Sequence, residues 1–121
     1  MVVLKKQEIS SLKAKEIELF STSNIFNFGI NGRLDEYKKF FNTASVLSFL
    51  HDEDLVNTAL SFFENNLNIS QTSKKTFMHR NTLVYRIEKI KKTIALDIRL
   101  FSEAVIVENM IIFYRNIIDN K

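Results

Sequence analysis

Residues that break helices are almost absent from this chain. It contains no proline in 121 residues, and its two glycines stand at Gly29 and Gly32. Proline and glycine are the residues least compatible with a helix interior, so their scarcity favours helix along most of the chain. Hydrophobic residues make up 45% of the sequence, which is enough to build a core. We therefore predict an all-α fold, a helical bundle of one domain or of a small domain with an appendage.

Positive charge is concentrated in one segment near the C-terminus. The whole chain has a net charge of +3, yet residues 68–100 hold eight cations against two anions, so the rest of the chain is net negative. The cations of this segment are Lys74, Lys75, Arg80, Arg86, Lys89, Lys91, Lys92 and Arg99. A basic segment on a faintly acidic body indicates phosphate binding. The alternative is a solvated lysine-rich face without a ligand.

The sequence lacks the residue patterns that catalysis or a metal site would need. Cysteine is absent, which excludes disulfides and thiolate ligands. The two histidines, His51 and His79, have no partners at ligand spacing. There is no nucleophile elbow and no glycine-rich phosphate loop. We expect no enzymatic activity, no metal and no cofactor.

The apolar segments are too short or too interrupted to enter a membrane. Residues 1–4 form a brief apolar run followed by Lys5 and Lys6, which is unlike a signal peptide. The most apolar stretch, residues 104–118, is broken by charged and amide side chains. The sequence therefore predicts a soluble cytoplasmic protein.

The first fifty residues predict two helices separated by a less regular segment. Apolar residues at helical spacing indicate helices over residues 3–20 and 34–50. Between them, a short alternating run and an Asn-Gly turn pair allow a short β element near residues 25–33. We interpret residues 1–50 as an N-terminal helical or linker region and residues 51–121 as a separate domain.

The C-terminal half predicts four helices, of which the first three form a tri-helical module. The expected N-caps, whose side chains can accept a hydrogen bond from a backbone N–H, are Asp52, Ser70, His79 and Ser102. The third helix, over residues 80–94, has an apolar stripe on one side and polar residues on the other. The last helix is apolar on most sides, so either the core surrounds it or a second subunit covers it.

The second and third helices of the module have the layout of a helix-turn-helix, whose recognition helix enters the DNA major groove. Arg80 can bind guanine O6 and N7, and Asn81 can pair with adenine N6 and N7. Lys74 and Lys75 can hold backbone phosphates, which gives affinity without sequence information. The predicted DNA-binding residues are Ser70, Gln71, Lys74, Lys75, His79, Arg80, Asn81, Thr82, Tyr85, Arg86 and Lys89.

Residues 78–87, M-H-R-N-T-L-V-Y-R-I, resemble the signature of the PucR/CdaR family of bacterial transcriptional regulators. Residues 68–70 and 96–98 also match the family pattern, and the similarity covers residues 52–115. The resemblance implies a Fis-like helix-turn-helix that binds double-stranded DNA as a homodimer. An effector ligand would control this binding, and the resemblance does not identify that ligand. Family members usually carry N-terminal sensor domains, and residues 15–28 resemble the last helix and strand of a GGDEF-like domain.

The sequence departs from the family pattern at a few positions. Thr76 replaces a leucine, which would weaken packing between the two motif helices unless the threonine hydroxyl is hydrogen-bonded. Val84 stands where relatives often have a polar or cationic residue, and Lys75 replaces an alanine. Further departures are Leu67, Ser73 and Ala95. These changes bear on sequence preference more than on the fold.

The sequence supports two functions of different kinds. The first is sequence-specific binding of double-stranded DNA by a transcriptional regulator, with the helix over residues 80–94 in the major groove. The second is a helical protein–protein interaction or dimerisation module whose helix-turn-helix no longer binds DNA. Thr76, Val84 and the apolar last helix favour the second.

Overall fold

The structure, a computed structural model, describes residues 4–28 and 31–119. Within these residues the chain forms eight α-helices and no β-strand, so the predicted all-α fold is confirmed. The helices are α1 (Lys6–Phe20), α2 (Thr22–Phe28), α3 (Leu34–Phe41), α4 (Ala44–Leu50), α5 (Glu53–Glu64), α6 (Ile69–Thr76), α7 (Arg80–Ile94) and α8 (Phe101–Phe113). A 3-10 turn, Asn31–Arg33, precedes α3, and a π-helical turn, Tyr114–Ile118, follows α8.

The segment that we expected to hold a β element is helical. α2 covers its first part and the 3-10 turn its last part, while Gly29 and Ile30 lie outside the described residues. The side chain of Asn24 donates to the backbone carbonyl of Glu18 at 3.1 Å, which joins α2 to the end of α1. A strand needs a neighbouring strand to satisfy its backbone, whereas a helix satisfies its backbone internally. The β prediction was therefore wrong for the described part of this segment.

The single helix predicted over residues 34–50 is broken into α3 and α4. Thr43 adopts an extended backbone, with φ −66° and ψ 130°, which cannot continue a helix. In an unbroken helix Val46 would face about 180° away from Tyr37, because each residue turns the helix by about 100°. Both side chains are buried. The break thus lets two successive segments face the same core.

Aromatic rings from α1, α3 and α8 form one cluster. The rings of Tyr37 and Phe113 stack with centroids 4.4 Å apart, and Phe20 meets Phe113 edge-on at 5.9 Å. The Tyr37 hydroxyl donates a hydrogen bond to the carbonyl of Leu19 at 2.7 Å, so its polar end is satisfied. This cluster places α8 inside the core, together with the N-terminal helices.

α8 is enclosed largely by this chain's own helices. Its buried apolar residues are Ala104, Ile106, Val107, Met110, Ile111 and Phe113. The core explanation for its apolar character therefore holds for these residues, while a second subunit stays a prediction. The helix begins earlier than expected, because the carbonyl of Leu100 accepts the first helical hydrogen bond, from the N–H of Ala104 at 2.8 Å. Ser102 lies in the first turn, so the prediction of Ser102 as N-cap was wrong.

Candidate nucleic-acid interface

α5, α6 and α7 form the predicted tri-helical module. Asp52 caps α5 as expected, since its Oδ1 accepts a hydrogen bond from the N–H of Leu55 at 3.1 Å. α6 is capped by Asn68, whose Oδ1 accepts from the N–H of Gln71 at 2.9 Å. Asn68 has the extended backbone of an N-cap, whereas Ser70 is already helical. The prediction of Ser70 as the cap was therefore wrong by two residues.

The turn between α6 and α7 is held by side chains. Phe77 ends α6 in the left-handed conformation, with φ 56° and ψ 24°. The Ser73 hydroxyl donates to the carbonyl of Met78 at 2.6 Å, across the turn. His79 Nδ1 accepts a hydrogen bond from the N–H of Asn81 at 3.0 Å, which confirms His79 as the cap of α7. Together these contacts set the direction in which α7 leaves the turn.

The two sides of α7 differ as an amphipathic recognition helix requires. Its apolar stripe is fully buried and consists of Leu83, Ile87, Ile90 and Ile94. The first turn, Arg80, Asn81 and Thr82, is exposed to solvent. Tyr85 follows Asn81 by one turn and is 61% exposed, so it extends the same surface. The stripe anchors the helix, and the polar start is left free to contact a ligand.

The last turn of α6 adds positive charge beside this surface. Lys74 and Lys75 are exposed, as are Ser70 and Gln71 one turn earlier. Among the described residues, neither lysine forms an ion pair, and neither does Arg80. Their charges are therefore available to an external anion such as phosphate.

Two of the predicted DNA-binding residues, Arg86 and Lys89, lie against α5. Arg86 Nη1 donates to Thr58 Oγ1 at 3.3 Å, and its Nη2 lies 3.9 Å from Asp54 Oδ2. Lys89 Nζ lies 3.9 Å from Asp52 Oδ2. Sequence reasoning missed these contacts because Arg86 and Thr58 are 28 residues apart and lie on different helices.

A third cation of the basic segment is also paired within the fold. Arg99 binds Glu88 Oε1 at 2.5 Å and Asp97 Oδ1 at 2.9 Å. The Arg99 guanidinium holds the pKa of the Asp97 carboxyl below its usual value. These contacts tie the residues after α7 to the helix itself, so Arg99 stabilises the end of the module.

The departure at Thr76 is compensated locally. Thr76 Oγ1 donates to the carbonyl of Thr72 at 2.7 Å, so its hydroxyl is satisfied within α6. Thr76 and Val84 are both half-buried. The condition under which Thr76 would weaken the motif, an unbonded hydroxyl, is therefore not met.

The two histidines both make hydrogen bonds outside any metal-ligand cluster. His51 Nε2 is 2.8 Å from the hydroxyl of Tyr114, and His79 caps α7. Within residues 4–28 and 31–119, no three His, Asp or Glu side chains are grouped as metal ligands. In the same part of the chain, every helix is too short or too polar to cross a membrane.

A capped α6, a left-handed turn and an α7 with a buried stripe define a helix-turn-helix domain, the class of fold that presents one helix to DNA. Residues 55–110 match the family described as the PucR C-terminal helix-turn-helix domain. The predicted resemblance of this part of the chain to that family is therefore confirmed.

Two curated proteins of Bacillus subtilis strain 168 are similar to this chain. The purine catabolism regulatory protein is 32% identical over 71 residues, which cover 54% of this chain and 13% of that protein. The uncharacterised protein YxkF is 38% identical over 60 residues, which cover 50% of this chain and 20% of that protein. The matched region thus spans about a fifth or less of either relative. No solved structure matches the sequence significantly.

Proposed function

We propose that this chain binds double-stranded DNA sequence-specifically and regulates transcription, with α7 in the major groove. The observation that carries the proposal is the exposed start of α7, where Arg80, Asn81 and Thr82 face solvent while the opposite stripe is buried. A helix fits the major groove, where Arg80 can bind guanine and Asn81 adenine. Thr82 can contact phosphate or a thymine methyl group. Tyr85 lies one helical turn further along α7 and can contact phosphate or base.

The neighbouring cations supply affinity that does not depend on sequence. Lys74 and Lys75 are exposed at the end of α6, and they have no acidic partner in the described part of the chain. His79 stands at the N-terminus of α7, where helix N–H groups favour phosphate oxygens. Ser70 and Gln71 lie in the first turn of α6 and can donate to the DNA backbone.

Arg86 and Lys89 take a different part in this proposal. Their side chains are about two-thirds buried and face the acidic start of α5, at Asp54 and Asp52. Contact with DNA would require them to leave those partners. We assign them the role of orienting α7 against α5, and we leave DNA contact to the exposed residues.

Homodimerisation extends the proposal. One helix-turn-helix reads one half-site, so two copies related by a two-fold axis would read a palindromic site. A transcriptional regulator works where DNA is accessible, which in a bacterium is the cytoplasm. The purine catabolism regulatory protein is much longer than this chain, so control by an effector would fall to sequence outside the matched region.

Fluorescence anisotropy with labelled duplex DNA tests the proposal. Lys74 and Lys75 give a dimer about four phosphate contacts, and affinity should then fall about a hundredfold between ~50 and ~200 mM salt. A Lys38→Ala variant, which changes an exposed lysine of α3 outside the module, should leave both affinity and salt dependence unchanged. Absence of binding to any duplex at low salt would sink the proposal.

A second candidate function is protein–protein interaction through α8. Phe101 is 76% exposed beside a groove of about 350 Å³, lined in part by Phe63, Leu67 and Val105. Light scattering on the same samples separates the two functions. The second function would be favoured by two results together. The original chain would self-associate without binding DNA, and a Phe101→Asp variant would lose that self-association.

A further inference from the structure

Phe77, the first residue of the turn between α6 and α7, combines two unfavourable features. Its backbone is left-handed, a conformation that favours glycine and that other residues adopt at a cost. Its side chain is 95% exposed, so the ring gains almost nothing from burial. A glycine or an asparagine would suit the backbone better and would avoid an exposed ring.

For the other non-glycine residues with positive φ in the described part of the chain, the side chain suits its surroundings. They are Asn66, Leu67 and Ala95. Asn66 is polar and exposed, Leu67 packs against the core, and Ala95 is small and buried. Phe77 differs from all three, because its large apolar ring stays almost entirely in solvent. The intramolecular structure therefore does not account for a phenylalanine at this turn.

The position of Phe77 gives it a neighbour in the proposed complex. It follows the exposed Lys75 by two residues and precedes Arg80 by three, so its Cα lies within about 11 Å of the first residue of α7. The hydrogen bond from Ser73 to Met78 holds the turn in place. A duplex that receives the start of α7 and neutralises Lys75 must pass close to this ring.

We propose that Phe77 is a DNA-contacting residue whose ring lies against the apolar edge of the major groove, formed by thymine 5-methyl groups and the adjoining deoxyribose carbons. The inference rests on the proposed function and adds a preference for thymine next to the bases that Arg80 and Asn81 read. Phenylalanine contacts thymine methyl groups well because both are apolar and water is released. The left-handed turn then presents the ring outward, to the partner.

Two substitutions test the inference, because both suit the left-handed backbone. Phe77→Gly and Phe77→Asn should leave the melting temperature unchanged or raised, while affinity for a duplex selected by the protein falls about fivefold or more. Ile9→Ala, which removes an exposed apolar side chain on α1 outside the module, should change neither quantity. Unchanged affinity in both Phe77 variants would overturn the inference.

Uracil supplies a second arm, since it lacks the 5-methyl group of thymine. Replacing thymine by uracil in the selected duplex should weaken binding of the original chain and should have a smaller effect on Phe77→Gly. Equal effects on both proteins would show that the ring does not contact the methyl group, which also overturns the inference. If instead Phe77→Gly abolishes self-association and leaves DNA affinity intact, the ring serves a protein contact and the inference fails.

The same measurements separate this inference from the proposed function. If Lys74→Ala weakens DNA binding and the Phe77 variants do not, the DNA-binding proposal stands and only the role of Phe77 falls. If the original chain binds no duplex at low salt, both fall together.

Discussion

Arg86 of α7 donates a hydrogen bond to the hydroxyl of Thr58 on α5, 3.3 Å away. Thr58 is 2% exposed and donates its own proton to the carbonyl of Asp54 at 2.6 Å. The Arg86 guanidinium therefore takes part in the packing between α7 and α5. The pair sets the orientation of α7 relative to α5, on which the geometry of the exposed surface depends.

Loss of the Arg86 side chain should destabilise the domain. We expect Arg86→Ala to lower the free energy of unfolding by about 1 kcal/mol, because it removes a charge-assisted hydrogen bond that is only partly exposed. Urea denaturation followed by circular dichroism measures the change. Lys92→Ala, an exposed position on the same helix, is the matched control and should stay within about 0.5 kcal/mol of the original chain. Equal values for the two variants would contradict the structural role of Arg86.

Arg80 and Lys74 should affect DNA binding in different ways. Arg80→Ala should reduce discrimination between a selected duplex and a scrambled one, by about 1–3 kcal/mol, because a bidentate guanine contact is lost. Lys74→Ala should weaken all duplexes alike and lower the salt dependence by about one phosphate contact. Anisotropy titrations on matched duplexes at several salt concentrations measure both effects. Identical behaviour of the two variants would show that the base-reading surface is assigned wrongly.

The N-cap of α6 is tested by a pair of alanine substitutions. Asn68→Ala should cost about 1 kcal/mol of stability, because its Oδ1 satisfies the N–H of Gln71 at 2.9 Å. Ser70→Ala should cost little, since Ser70 is exposed within the helix and its side chain caps nothing. Thermal unfolding of both variants measures the difference. A larger loss at Ser70 would return the cap to the residue that the sequence first suggested.

Glu16 makes stability depend on pH. Its side chain in α1 is fully buried and neither carboxyl oxygen has a hydrogen-bond partner. Burial, reinforced by the nearby Glu103 and opposed by Lys13, raises the pKa of the Glu16 carboxyl to about 9. The unfolded chain ionises this group near its ordinary pKa of 4.5. The free energy of unfolding should therefore fall as pH rises from about 4.5 to about 9, because only the unfolded state releases the proton in that range.

A Glu16→Leu variant isolates this contribution. At pH 7 it should be more stable than the original chain by about 1–3 kcal/mol, because it removes an unsatisfied buried polar group. Its free energy of unfolding should also depend less on pH above 4.5. Glu64→Leu, at an exposed carboxylate of α5, should change neither property by a comparable amount. Denaturant titrations at pH 5, 7 and 9 make the comparison, and a steeper pH dependence in Glu16→Leu would contradict it.

The helix-turn-helix could be predicted from sequence because its signals are local. The limits of α7, its cap at His79 and its buried stripe all follow from spacing and from hydrogen bonds within a few residues. The same holds for Asp52 at the start of α5. Asn68 and Ser70 show the limit of local reasoning, because both can cap a helix and only the backbone decides which one does.

The N-terminal half could not be predicted as well because its signals are ambiguous. A short alternating run such as residues 25–28 fits a strand or a helix. No strand among the described residues is present to pair with it, and the run is part of the helix α2. The break at Thr43 allows Tyr37 and Val46 to be buried in the same core. This break depends on tertiary packing, and no local sequence pattern predicts it.

By itself, then, the sequence determined that this protein is helical and that it carries a helix-turn-helix with an exposed, polar start to α7. Tertiary structure decided which cations remain free. Arg86, Lys89 and Arg99 meet acidic partners within the fold, whereas Lys74, Lys75 and Arg80 meet none in its described part. The physical reason is that a charge pairs according to distance in space, and residues far apart in the chain become neighbours only when the helices pack.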